Sequence, residues 1–134
     1  MQETTVKKEE LLARLRENRL EHRENFLRGL VGYKKLMLEE MERRVEELRQ
    51  GRMVSRTIGF EEPCDYTKEY DRVIEMLEMS VDDEITITGT EFRQFVMDDW
   101  SWKEHFLANV TSYHGLDAES ELAAIEQARM DGTL

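Results

Sequence analysis

Cysteine is nearly missing from this 134-residue chain: a single one, Cys64, excludes an internal disulfide framework and any multi-cysteine zinc site, and it suits a reducing compartment. Histidine is scarce too, and none of the three (His22, His105, His114) has a glutamate three residues before it. The Glu-x-x-His motif of di-iron bundles is therefore absent, as is His-Glu-x-x-His. There is one proline and there are seven glycines, so little punctuates a helical chain. No run of about 18 apolar residues offers a membrane span, and the opening MQETTVKKEELL lacks the layout of a secretory signal. No glycine-rich phosphate loop and no nucleophile elbow occurs. The expected location is the cytoplasm, and no catalytic residue, metal site or cofactor is expected.

What is present is charge. Asp, Glu, Lys and Arg make up 37% of the chain and the net charge is −11, against roughly 25% charged residues in a typical globular protein. The charge is unevenly spread: residues 1–58 carry a net +3 and residues 59–134 a net −14. Such asymmetry fits an acidic surface that imitates nucleic acid, a basic helix that meets phosphate, or docking of the two halves across subunits. An ordinary solvated acidic surface accounts for the same count.

The first half reads as one amphipathic helix. From Val6 to Leu48, apolar residues including Leu12, Leu15, Phe26, Leu30, Tyr33, Met37, Met41, Val45 and Leu48 recur mostly at three- and four-residue steps. Thr4 or Thr5 is a plausible cap, and Gly51 suits the left-handed residue that follows a helix. Unbroken, the run would span roughly 66 Å, too long for the rest of the chain to cover its stripe, so a partner copy is expected along helix 1. Two places complicate it: the stripe weakens across Arg16, Asn18, Arg19, His22 and Arg23, and Gly29 and Gly32 fall inside the helix. Either the glycines kink or break it, or they admit another backbone; a continuous or gently kinked helix is the expectation.

After Gly51 the period changes. MVSRTIGF (53–60) and ITIT (85–88) alternate as short strands and can pair into a ribbon. Thr67 is the expected cap of a helix presenting Tyr70, Val73, Ile74 and Leu77. Thr88-Gly-Thr-Glu91 and Ser101-Trp-Lys-Glu104 have capping-box spacing, the first opening a helix that buries Phe92, Phe95 and Val96. Asp98, Asp99 and Trp100 then fall at a corner between helices, where Trp100 is either core or interface. Asp117 can cap a last helix through Leu122, Ile125 and Ala128. The expected fold is mainly α: a long coiled-coil-like helix (1–51), then a small helical body (52–134) with a short two-stranded ribbon.

The segment EYDRVIEMLEMSVDDEITITGTEFRQFVMDDWSWKEHF, with its YDR, MLEMSVDD, EF and DDW-then-WK pattern, resembles a family of small, uncharacterised proteins of phages and bacterial genomes. The resemblance covers about Tyr66 to Phe106 and implies a phage or accessory gene. It supplies no activity and no functional residues.

Three binding readings follow. One is a non-enzymatic oligomeric interaction protein that meets a host factor through an acidic body around Asp98, Asp99 and Trp100, because Trp and Tyr are efficient interface anchors. A second is a sequestering protein for an anionic small ligand such as a nucleotide signal, with Arg19 and Arg23 as forked donors and Tyr33 or Trp100 stacking on the base. Salt bridging to Glu17, Glu21 and Glu24 along the helix would occupy the same arginines. A third is an acidic mimic of nucleic acid. Direct nucleic-acid binding is disfavoured by the net charge.

Overall fold

The computed structural model describes residues 2–54, 63–100 and 116–134. The order is β1 (Glu3–Lys7), α1 (Lys8–Arg49), α2 (Thr67–Met79), β2 (Glu84–Thr88), α3 (Gly89–Glu91) continuing as a π-helical turn (Phe92–Val96), and α4 (Ala118–Met130). The fold is mainly α with a long N-terminal helix and a two-stranded antiparallel ribbon, as the hydropathy pattern predicts. The chain forms two compact units that interleave in sequence. One comprises Met1–Glu24 with Cys64–His114, the other Asn25–Pro63 with Gly115–Leu134, so the change-over falls inside α1.

The ribbon is a correction to the sequence reading. ITIT pairs, as β2, with Glu3–Lys7, in the register Thr4 opposite Ile87 and Val6 opposite Ile85. The 53–60 stretch, expected as its partner, lies outside the described residues from 55 on. Thr4, Thr5 and Val6 are a β-branched run whose side chains suit a pleated surface better than a helix start, so helix begins at Lys8, with Glu9 and Glu10 in its first turn facing the positive end of the dipole. Backbone bonds from Lys8 to the Asp83 carbonyl (2.8 Å) and from Gly89 to the Gln2 carbonyl (2.9 Å) close both ends of the ribbon. Ile87 is buried, with Val6 and Ile85 packed beside it.

α1 is unbroken across 42 residues. Neither glycine admits another backbone among the described residues: a Cβ at Gly29 would meet the Pro63 side chain at 3.4 Å, an ordinary contact, and at Gly32 nothing lies within 4 Å. Helix α1 ends in a Schellman motif: Arg52 N donates to the Glu47 carbonyl, Gly51 N to that of Leu48, and Gly51 has φ +78°. Replacing the exposed, uncontacted Gly32 by alanine therefore raises stability, by about 0.5–1 kcal/mol, read as a higher urea midpoint followed by circular dichroism; an unchanged or lower midpoint would show that the glycine is required.

Helix α2 is capped differently from expectation. Thr67 is its first residue, and the Asp65 carboxylate accepts from both Thr67 N and the Thr67 hydroxyl. The Thr88–Glu91 capping box is present, with Glu91 N to Thr88 Oγ1 at 3.1 Å and Thr88 N to Glu91 Oε1 at 2.9 Å. Past it, the helix runs only to Glu91 before widening into the π turn, whose i+5 bond joins Met97 N to the Phe92 carbonyl. That wider turn re-aims its side chains: Phe95 is buried, but Phe92 is 40% exposed. The second capping box, Ser101–Glu104, with Trp102 and Phe106, lies outside the described residues. Asp117 caps α4 by accepting from Ser120 N.

Candidate functional site

The stripe that weakens after Leu15 does not stop; it changes chemistry. Leu11, Leu15, Asn18 and His22 keep a 4-3-4 spacing on α1, and all four are buried. Asn18 Nδ2 donates at 2.8 Å to the carbonyls of both Phe95 and Val96. This matters because a π turn followed by irregular chain leaves its carbonyls without helical partners. Here four of the five find one. Phe92 O accepts from Met97 N, Arg93 O from Asp99 N, and Phe95 O and Val96 O from Asn18, while Gln94 O lies 3.2 Å from the Tyr70 hydroxyl.

Just past the turn, Asp98 sits at φ +52°, the only non-glycine residue at positive φ among those described. One of its oxygens, Oδ1, gathers three donors: the Tyr70 hydroxyl (2.6 Å), Trp100 Nε1 (3.0 Å) and His22 Nδ1 (3.1 Å). Aromatic rings pack around them. Trp100 stacks on Tyr66 with centroids 4.5 Å apart and planes 8° apart, and meets Phe95 and Tyr70 edge-on. The left-handed backbone at Asp98 turns its carboxylate back toward α1 and α2, and the surrounding bonds hold that sparsely populated conformation in place.

A histidine bonded through Nδ1 to a carboxylate is the arrangement that orients a general base. Here the other nitrogen is occupied: His22 Nε2 accepts from Tyr66 N at 2.9 Å. The hydrogen-bond pattern assigns the neutral Nδ1–H tautomer, with no lone pair left to take a proton from a substrate. The unit is a lock joining α1, the start of α2 and the π turn.

The phenols of the lock are held neutral. Burial, with Cys64 beside it, pushes the Tyr66 phenol up to about 12, and burial plus the bond to Asp98 raises Tyr70 further. Because the folded state favours the protonated phenol, this contribution to stability is complete below pH 10 and is lost as pH rises through about 12. An alkaline titration of tyrosinate absorbance is expected to show these two phenols ionising only with loss of helix, the delayed step vanishing in a Tyr66→Phe, Tyr70→Phe double variant. Ionisation of every tyrosine near pH 10 with helix intact would contradict the buried network.

The residues singled out from sequence fare unequally. Asp98 and Trp100 are brought together, but inside the core: Trp100 is buried, so the reading of it as an exposed anchor or stacking platform is corrected. Asp99 is half-buried and its N–H is bonded to Arg93 O. Arg19 is paired with Asp71 and Arg23 with Asp65, both across to α2 and the residues leading into it, and Arg16 pairs with Glu78. These bonds leave α1, whereas the sequence suggests bridges along it. Tyr33 belongs to the other compact unit. Sequence reasoning missed Asn18, His22, Tyr66 and Tyr70 as a set. The 4-3-4 spacing of Asn18 and His22 on a leucine stripe was the available signal. Among the described residues no group of three or more His, Cys, Asp or Glu is placed to hold a metal ion, and no helix is long and apolar enough to cross a membrane. Comparison with protein families, with curated proteins and with solved structures finds no match.

The second unit presents the opposite situation. Its described buried residues are few: Phe26, Leu27, Leu30 and Ala118. Along the same stretch of α1, Leu38 (61% exposed), Met41 (55%), Val45 and Leu48 (58%) stand in solvent. Their 3-4-3 spacing makes one continuous apolar seam. An open groove of about 580 Å³ lies over its N-terminal part, lined by Val31, Lys34, Leu38 and Glu42 of α1 and, opposite, by Leu116 to Glu119.

Proposed function

We propose that this chain is a non-enzymatic, self-associating interaction protein whose contact surface is the exposed seam of α1. The observation that carries the reading is the contrast within the molecule. The groups best suited to chemistry or anion capture are consumed internally: His22 by Asp98 and Tyr66 N, Arg19 by Asp71, Arg23 by Asp65. The unspent capacity is apolar, and a contiguous apolar strip rimmed by charge is the usual mark of a protein-contact surface.

The ligand-sequestering alternative draws less support, because it needs Arg19 and Arg23 as forked donors to phosphate and each already serves a carboxylate. The acidic-mimic alternative invokes Asp82, Asp83, Asp98 and Asp99, of which Asp98 is here an internal acceptor while Asp82 and Asp83 are exposed. Both alternatives stay distinguishable by experiment. Native mass spectrometry of protein purified from cells is expected to show an oligomer without retained small molecule. Met41→Lys is expected to shift it to monomer while circular dichroism stays helical, because Met41 makes no part of the described core. A wild-type monomer would overturn the proposal, and a retained mass of several hundred daltons would favour sequestration.

A further inference from the structure

The seam carries more than hydrophobicity. Written as heptads, Val31, Leu38 and Val45 take a positions and Lys34, Met41 and Leu48 take d positions. The flanking e positions are Lys35, Glu42 and Arg49, and the g positions include Met37 and Arg44.

Most other charges on this stretch, Glu39 excepted, are paired within the helix. Glu40 is bonded to Arg43 and Arg44, which hold its carboxyl down at about 2, and Arg43 also reaches Glu47 at 2.6 Å. Arg49 pairs with Glu46. Lys35 and Glu42, which rim the seam, have no ion-pair partner among the described residues; Lys34 points its ammonium at the Leu116 carbonyl (3.4 Å), which leaves its methylene stem for apolar contact.

We infer that the seam is occupied by a second copy of this chain, with the two α1 segments antiparallel and Lys35 of each facing Glu42 of the other. The inference rests on the self-association proposed above and assigns it a direction and a register. In an antiparallel pair, a positions meet d positions. One register sets Leu38 against Met41 of the second copy, Val31 against its Leu48, and Val45 against the stem of its Lys34, each contact occurring twice by symmetry. The same register brings Lys35 opposite Glu42 of the second copy twice, joining opposite charges on both occasions, and at the ends of the seam it sets Arg49 opposite Arg28.

The parallel alternative is penalised by the same residues. It would place the two Lys34 side chains face to face at a d layer, and at the rim it would set Arg44 (g) against Arg49 (e) of the second copy. It would also leave Lys35 facing Leu30 and Glu42 facing Met37. Rim charge and buried-layer polarity select orientation in such pairs; each orientation has one kind of Arg–Arg rim contact, and the two Lys35–Glu42 pairs and the separation of the Lys34 side chains favour the antiparallel one.

The test is a charge swap followed by sedimentation analysis of the full chain. Lys35→Glu creates two Glu–Glu contacts and Glu42→Lys two Lys–Lys contacts, so each single variant is expected to dissociate about tenfold more readily. The double variant Lys35→Glu/Glu42→Lys re-forms both pairs with signs exchanged and is expected to return to within about threefold of wild type; the single-variant defect shrinks at about 1 M salt, where screening acts over about 3 Å. Both positions are exposed, and helix content measured in parallel confirms folding. A dimer indifferent to all three variants, a double variant weaker than either single, or an assembly larger than two chains overturns the antiparallel register while leaving self-association standing. A monomeric wild type overturns both.

Discussion

Asp98→Ala is expected to destabilise the unit built from the chain's first 24 residues and the segment after Cys64 by about 3–5 kcal/mol. The substitution leaves Trp100 Nε1 and His22 Nδ1 without their shared acceptor and weakens the anchoring of Tyr70. A buried donor stripped of its partner costs about 1–3 kcal/mol. Alanine at φ +52° adds about 1–2 kcal/mol for a left-handed backbone. Relief of a half-buried charge offsets part of that sum. Asp98→Asn is the informative companion: asparagine tolerates positive φ and retains a carbonyl acceptor, so a loss of about 1–2 kcal/mol is expected, mostly the charge-assisted part of three bonds. Urea denaturation followed through tryptophan fluorescence reads both. An Asp98→Ala variant within about 0.5 kcal/mol of wild type would mean that the carboxylate does not organise the lock.

The second large effect is Leu15→Ala. Leu15 is fully buried in the cluster that joins α1 to α2, β2, Phe95 and Trp100, and a close-packed interior relaxes only partly around a lost isobutyl group. A cost of about 3–4 kcal/mol is expected. Leu38→Ala supplies the control, since it removes the same atoms from a position 61% exposed. Measured at a concentration low enough to exclude association, it changes stability by no more than about 0.5 kcal/mol. If the two variants cost the same, the division of α1 into a buried first half and an exposed second half is wrong.

Features decided within a few residues were legible in the sequence. The Thr88–Glu91 box, the Asp117 cap and Gly51 past the end of α1 each depend on neighbours three to five positions away, and each is found. The inward isoleucine of ITIT was legible for the same reason, through its period of two. What escaped depends on partners remote in sequence. Thr4 and Thr5 read as a helix cap until β2 is known to lie beside them. Arg19 and Arg23 read as partners of glutamates on their own helix, whereas Asp71 and Asp65 hold them from 52 and 42 positions away. Trp100 was ambiguous because nothing local announces that Tyr66 and Asp98 will close over it. The π turn left no pattern either, being an extra residue per turn that only its cross-chain partners make tolerable.

The ribbon sets a timetable. Thr5 on β1 touches Thr86 on β2, 81 positions further along the chain, and a ribosome adding about 5–20 residues per second needs roughly 4–16 s to deliver that partner. Throughout that interval the Glu3–Lys7 segment has no strand to pair with, and the leucines of α1 also await α2. β1 is made long before its partner and is among the last elements to be secured, and any factor that shields nascent chains would meet this one at that unpaired segment.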